Sequence, residues 1–179
     1  GGMCMLKDES DYEAFFEDTL KAGHYENDKT SVDIMIRSSQ DVMKDLLLYG
    51  ADFQKDQSGK LLFTKEGAHS AKRIVYHEDE TGKEITSTLL RTAKKQKNIN
   101  ILEYTTMIDL IVKDNHCYGA VIQKENGSIK TVLSDFTVIA TGGIGGIYEH
   151  STNYAHLTGD AHALAIKYGI ELKDMDYVQ

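Results

Sequence analysis

The chain has 179 residues, 41% hydrophobic and 27% charged, a composition of soluble globular proteins with length enough for one domain and a real core. Its net charge of −8 argues against a nucleic-acid surface, which needs a basic stripe. No apolar run approaches membrane-spanning length and no secretory leader is visible, so a cytoplasmic protein with neither nucleic-acid nor membrane partners is expected.

In chain order, Ser10-x-x-Glu13 spells a capping box, in which hydroxyl and carboxylate would satisfy each other's N–H groups at a helix start. Tyr12, Phe15, Phe16, Thr19 and Leu20 follow on one face at helical spacing, and Gly23 supplies the stop. A second helical region covers 32–49 and ends at Gly50. Its apolar residues fall into two groups, 32–36 and 42–48, and Ser38 between them can cap a new helix, which predicts two short helices rather than one rod. Residues 51–77 read as short β-like pieces at 52–53, 60–64 and 73–76. The segment 64–73 between them is polar and aperiodic, either a site-bearing loop on a rigid scaffold or a solvated linker. Thr81-Gly82 reads as a turn, followed by an amphipathic helix through Ile85, Leu89, Leu90 and Ala93 to about Gln96. Lys94, Lys95 and Lys97 lie at its negative pole, so the helix dipole accounts for that basic end.

The stretch 98–135 reads as strands: 99–103 alternates, 107–112 is almost continuously apolar, and 117–123 and 129–133 flank the hairpin turn Glu125-Asn126-Gly127-Ser128. With Lys113-Asp114-Asn115-His116 as the other turn, the last three form a meander. Residues 136–140 read as a strand buried on both faces. Glycines follow at 142, 143, 145 and 146, where bare backbone past a strand end can approach a ligand or merely turn the chain. Thr158-Gly159-Asp160 then reads as a helix start with Gly169 as the stop, and 170–172 and 177–178 read as extended. No repeats and no prolines occur.

Chemistry-bearing patterns are mostly absent. The seven histidines show no metal-ligand spacing, so no metal is expected. Cys4 and Cys117 are in no C-x-x-C pair and read as small packing residues in a reducing compartment. His69 and Ser70 are adjacent, which points their side chains apart, and no G-x-S-x-G elbow exists. The glycines at 142–146 do not fit G-x-G-x-x-G, so they are not the phosphate-gripping turn of a dinucleotide fold.

What remains is a strand, ATGG, loop and helix preceded by a meander. The run ATGGIGG…Y…STN…TGD within 138–160, TKEGAHSAKRI at 64–74 and EDTL-x-AG at 17–23 together resemble the flavoprotein family of succinate dehydrogenase and fumarate reductase, and most closely its aspartate-oxidising branch. The resemblance covers nearly the whole chain. It implies an α/β fold, part of a Rossmann-like FAD-binding domain of the glutathione-reductase type with a β-meander. Residues 1–179 would be a single domain, an internal portion lacking the N-terminal βαβ unit, the capping domain and the C-terminal helical domain. The family's substrate-binding histidine and its arginines lie outside the matched motifs, so the resemblance assigns no catalytic residue here.

The resemblance also implies FAD as cofactor and oxidation of L-aspartate to iminoaspartate, the first step of de novo NAD biosynthesis. Hydride would pass to the flavin, O2 or fumarate would reoxidise it, and quinolinate synthase is an implied partner. Position by position, Gly1 and Gly2 match a flavin-contacting loop, and Thr106 and Met107 a strand whose backbone holds the adenine end. Ala140, Thr141 and Gly142 match the ATG beside the AMP half, and Asp160 matches the aspartate of T-G-D. Glu66 matches a glutamate facing the substrate's ammonium. A carboxylate there would stabilise an amino-dicarboxylate by a charge-assisted hydrogen bond and add a third negative charge to succinate. Plainer readings stand beside these: Met107 as core by its side chain, Asp160 as a helix N-cap and Glu66 as an ordinary surface carboxylate. A succinate dehydrogenase or fumarate reductase flavoprotein subunit is the alternative, and a non-catalytic binding module a further one. Without a pyrophosphate loop, weak FAD binding or none is expected of this chain alone.

Overall fold

In the computed structural model, which describes residues 1–178, Asp8 rather than Ser10 opens the first helical segment. The Asp8 carboxylate accepts from the Ser10 backbone N–H and hydroxyl, and a 3₁₀ turn, Glu9–Asp11, runs into α1, Tyr12–Ala22. The expected capping box therefore does not form: an acidic residue two positions upstream takes the Ser10 N–H that Glu13 would have accepted and turns the Ser10 hydroxyl toward itself.

α2 is one continuous helix, Lys29–Leu48, not two. Asp28 caps it by accepting from the Ser31 N–H at 2.7 Å. The serines at its middle do not restart the chain. Ser38 Oγ donates back to the Ile34 carbonyl at 2.7 Å and Ser39 Oγ to that of Ile36, so both hydroxyls are satisfied within the helix.

Two compact units divide the chain, Gly1–Ile101 and the residues from Leu102 onward. In the first, Phe15 and Leu20 of α1 pack with Leu6 and with Val32 and Ile36 of α2. Met43 and Leu46, further along the same helix, join Met5, Ala51, Phe53 and Val75 in a second cluster. Between residues 51 and 77 the expected β pieces reduce to β2, Ile74–Val75, which pairs antiparallel with β1, Met3–Cys4, and to isolated pairings of Lys55 with Leu61 and Thr64 with Ile74. α3, Thr81–Lys94, takes Thr81-Gly82 into its own first turn. Thr81 is buried, and its hydroxyl accepts from the His77 N–H at 3.0 Å.

The second unit holds the expected meander: β3, Thr105–Lys113, β4, His116–Lys124, and β5, Ile129–Leu133, antiparallel in the order β3-β4-β5. Asp114 and Asn115 both take positive φ, 51° and 57°, as a tight hairpin turn requires, and Gly127 takes 79° in the other hairpin. Residues 99–103 form no strand. Nor do 136–140: Phe136 and Val138 are each 89% exposed, because the segment finds no pairing partner among the described residues and its apolar side chains no cover. α4, Asp160–Lys167, starts after Gly159 at φ 73°, with Asp160 in its first turn rather than at the cap, and the helix gives way at Gly169, φ 72°. The stretches 170–172 and 177–178 form no strand either. The described residues thus form a mixed α/β fold with antiparallel sheets. No helix among them is long and apolar enough to cross a membrane.

Candidate functional site

In the first unit the polar segment 65–72 is a loop closed at its base. The Thr64 and Ile74 backbones exchange hydrogen bonds at 2.9 and 3.2 Å. Within the loop the His69 N–H donates to the Glu66 carbonyl at 3.4 Å, and Ala68 adopts φ 64°. Ser70 fastens the far arm, donating from its N–H at 2.6 Å and its hydroxyl at 2.7 Å to Asp18 on α1.

Beneath the loop Arg73 is fully buried. Its Nε and one terminal nitrogen grip the Asp11 carboxylate fork-on-fork at 2.9 and 2.8 Å. The other terminal nitrogen reaches Asp18 at 2.6 Å and His69 Nδ1 at 3.1 Å. The guanidinium lies over the Phe15 ring, 4.9 Å from its centre. Burial alone would raise the Asp18 carboxyl, but the Ser70 N–H and hydroxyl and the Arg73 charge outweigh it and hold it at about 2. Sequence reasoning missed this cluster. Asp18 and Arg73 both fall in quoted motifs, yet no local spacing links residues 55 and 62 positions apart.

Glu66 itself is exposed. It lines a cleft of about 360 Å³ with Gly1, Thr64, Tyr76, Glu78 and Asp79, so every charged side chain on that wall is acidic. The structure thereby brings together two sequence-predicted residues, Gly1 and Glu66. Gly1 has open space where a Cβ would be. Gly2 does not: a Cβ there would strike the Ile74 side chain and the Val75 carbonyl oxygen, so packing on β2 accounts for that glycine.

The remaining predicted residues belong to the second unit. Thr106 and Met107 pair with Gln123 and Ile122 at the start of β3. Among the described residues β3 is an edge strand, so backbone groups on its outer side are not taken by the sheet. Ala140, Thr141 and Gly142 are exposed, with Gly142 at φ 77°. Asp160 is exposed too, its carboxylate accepting from the Thr158 hydroxyl at 3.0 Å.

The glycine run mostly serves its own packing. The Gly146 N–H donates to the Leu157 carbonyl at 2.8 Å, and a Cβ there would meet three carbonyl oxygens at 2.7 to 2.9 Å. A Cβ on Gly142 would come within 2.8 Å of the Leu157 side chain, and one on Gly145 would strike Asn153. Only Gly143 faces open space. Gly143 lines a cavity of about 360 Å³ with Asn153, Leu157, His162, Lys173 and Tyr177 among others, and His162 Nδ1 is buried there without a hydrogen-bond partner among the described residues. None of Thr106, Met107, Ala140, Thr141, Gly142 or Asp160 is on the wall of that cavity.

A family profile described as "FAD binding domain" matches residues 1–179. The chain is 44% identical over all of its length to 40% of the L-aspartate oxidase of Clostridium perfringens, and 42% identical to 41% of that of Clostridium acetobutylicum. It therefore spans about two fifths of the length of these curated relatives. Among solved structures, a mutated E. coli quinol fumarate reductase superposes with TM-score 0.94 at 28% identity, covering 100% of this chain and 31% of that one. Mycobacterium smegmatis Sdh1 superposes with TM-score 0.86 at 28% identity, over 94% of this chain and 31% of that one.

Proposed function

Because the chain belongs to the FAD-binding-domain family, as part of an FAD-dependent oxidoreductase in the superfamily of succinate dehydrogenase, fumarate reductase and aspartate oxidase, we propose that its parent protein oxidises L-aspartate to iminoaspartate. The observation that carries this reading is the place of Glu66, in a cleft with Gly1 whose other charged side chains are Glu78 and Asp79. Three carboxylates favour an ammonium and oppose a carboxylate. L-aspartate brings an ammonium to such a wall; succinate brings only negative charge. Glu66 binds and orients the amine by a charge-assisted hydrogen bond of roughly 1.5–3 kcal/mol. That orients the α-carbon while the substrate's carboxylates are held elsewhere.

FAD, when bound, supplies the two-electron acceptor for hydride from the α-carbon. The residues present fit a group gripped mainly by main chain: the outer edge of β3 at Thr106 and Met107, and the exposed residues Ala140, Thr141 and Gly142. Gly1 would face the flavin, with Gly2 beside it held by its packing on β2, and Asp160 would add a polar contact. Dioxygen or fumarate would reoxidise it, in the cytoplasm.

Assay of the full-length protein with L-aspartate and with succinate tests the proposal. Aspartate-dependent flavin reduction is expected; turnover of succinate alone would overturn it. The second reading, a succinate dehydrogenase or fumarate reductase flavoprotein, draws on the TM-score of 0.94 to quinol fumarate reductase, and the same assay separates the two.

A further inference from the structure

We propose that Arg73 is a positioning residue for the Glu66 loop: its buried guanidinium gathers Asp11, Asp18 and His69 into one cluster that sets where residues 65–72 carry Glu66. The proposal rests on the reading of Glu66 as the ammonium-facing carboxylate.

The loop has no helix or strand of its own to fix its path. Its base is fixed by the Thr64–Ile74 pairing, which leaves the arms free to swing. Two further ties run to the cluster. One is Ser70, held to Asp18 through both N–H and hydroxyl. The other is His69, whose N–H reaches the Glu66 carbonyl while its ring rests on Arg73 and meets Phe15 edge-on, centroids 6.0 Å apart. A guanidinium has no acceptor, so Arg73 must donate and His69 Nδ1 must offer its lone pair, which leaves the ring proton on Nε2. Glu66 is thus joined to Arg73 through a single residue.

The cluster needs an arginine by geometry. Its planar fork serves Asp11 with two nitrogens and turns the third toward Asp18 and His69 at once. A lysine ammonium is one point and cannot occupy all of these places. A buried ion cluster adds little net stability over a well-packed apolar one, whereas breaking it is costly. Its gain here is a fixed arrangement, and the part so fixed is the loop bearing Glu66.

The test uses the full-length flavoprotein carrying Arg73→Lys. Because an unbalanced buried cluster can prevent folding, Ser70→Ala is made alongside, which keeps the ion pairs and the N–H bond to Asp18 and removes the hydroxyl half of that strap. The first readout is amide hydrogen exchange: peptides covering 65–72 should exchange ~10-fold faster in Arg73→Lys and less so in Ser70→Ala, with α2 unchanged. The second is steady-state kinetics. KM for L-aspartate should rise ~10-fold with a smaller change in kcat, because a misplaced carboxylate weakens amine binding. A purely structural arginine would instead lower the amount of folded enzyme and leave the KM of the rest unchanged. Wild-type loop exchange in both variants overturns the proposal, as does a wild-type KM alongside accelerated exchange. Should the parent protein fail to oxidise L-aspartate, the reading of Glu66 falls by itself; exchange still decides whether Arg73 fixes the loop, faster exchange confined to 65–72 upholding that and unchanged exchange refuting it.

Discussion

Asp18 Oδ2 accepts from both the backbone N–H and the hydroxyl of Ser70, at 2.6 and 2.7 Å, across 52 positions of sequence. Arg73 shares that oxygen, and the Asp18 carboxyl is held at about 2, below its ordinary 3.8. A carboxylate with a depressed folded-state value contributes stability that is fully present above the unfolded value and is lost as pH falls through the folded one. The window therefore runs from about pH 4 down to about pH 2, and the contribution is about 2 kcal/mol. Urea unfolding should show Asp18→Asn destabilised by about that amount at pH 7, and by much less than that near pH 2, where the wild-type carboxyl is losing its charge.

Glu66 gives the most direct functional prediction. In the full-length protein Glu66→Gln keeps the shape and removes the charge, so kcat/KM for L-aspartate should fall about 10- to 100-fold, the loss expected for one charge-assisted hydrogen bond. Inhibition by succinate should strengthen, since one of three carboxylates on that wall is gone. An unchanged ratio of aspartate to succinate affinity would remove Glu66 from the amine site.

Two glycines of the run at 142–146 should behave oppositely. Gly146→Ala drives a methyl into three carbonyl oxygens, and thermal unfolding should show a loss of about 1–3 kcal/mol. Gly143→Ala meets nothing within 4 Å and should leave stability unchanged. If its open side faces the cofactor, the same variant of the full-length protein should retain less FAD after desalting.

The isolated chain should hold flavin poorly, because no G-x-G-x-x-G occurs anywhere in it to grip a pyrophosphate. Absorbance near the flavin bands after gel filtration checks this; a stoichiometric yellow protein would contradict it.

Patterns that one element can specify by itself were legible in the sequence. Tyr12, Phe15, Phe16, Thr19 and Leu20 at helical spacing, and Asn126-Gly127 between alternating runs, give α1 and the β4–β5 hairpin as found. Choices between two local partners were not. Ser10 is offered Asp8 as well as Glu13, and Ser38 can cap a helix or bond back to Ile34; the sequence contains both options and the structure takes one. Arg73 was illegible for another reason. Its partners, Asp11 and Asp18, come to it only when α1 lies against the loop base, and no periodicity encodes that meeting. Glu66 was found through a resemblance rather than through chemistry visible in its neighbours. The reason for Gly146 emerges only once the carbonyls of Tyr154, Ala155 and Leu157 are seen around it.

The segment 136–140 has a practical consequence. Thr137 turns inward, its hydroxyl oxygen 3.5 Å from the Cys117 sulfur, while Phe136 and Val138 stand outward at 89% exposure. A short run with an oily face and a main chain unpaired among the described residues is an open template for whatever strand arrives first. In a concentrated sample that strand is another copy of the same segment, so the isolated chain should become adhesive as its concentration rises, and a single outward charge at position 138 is the place to blunt it.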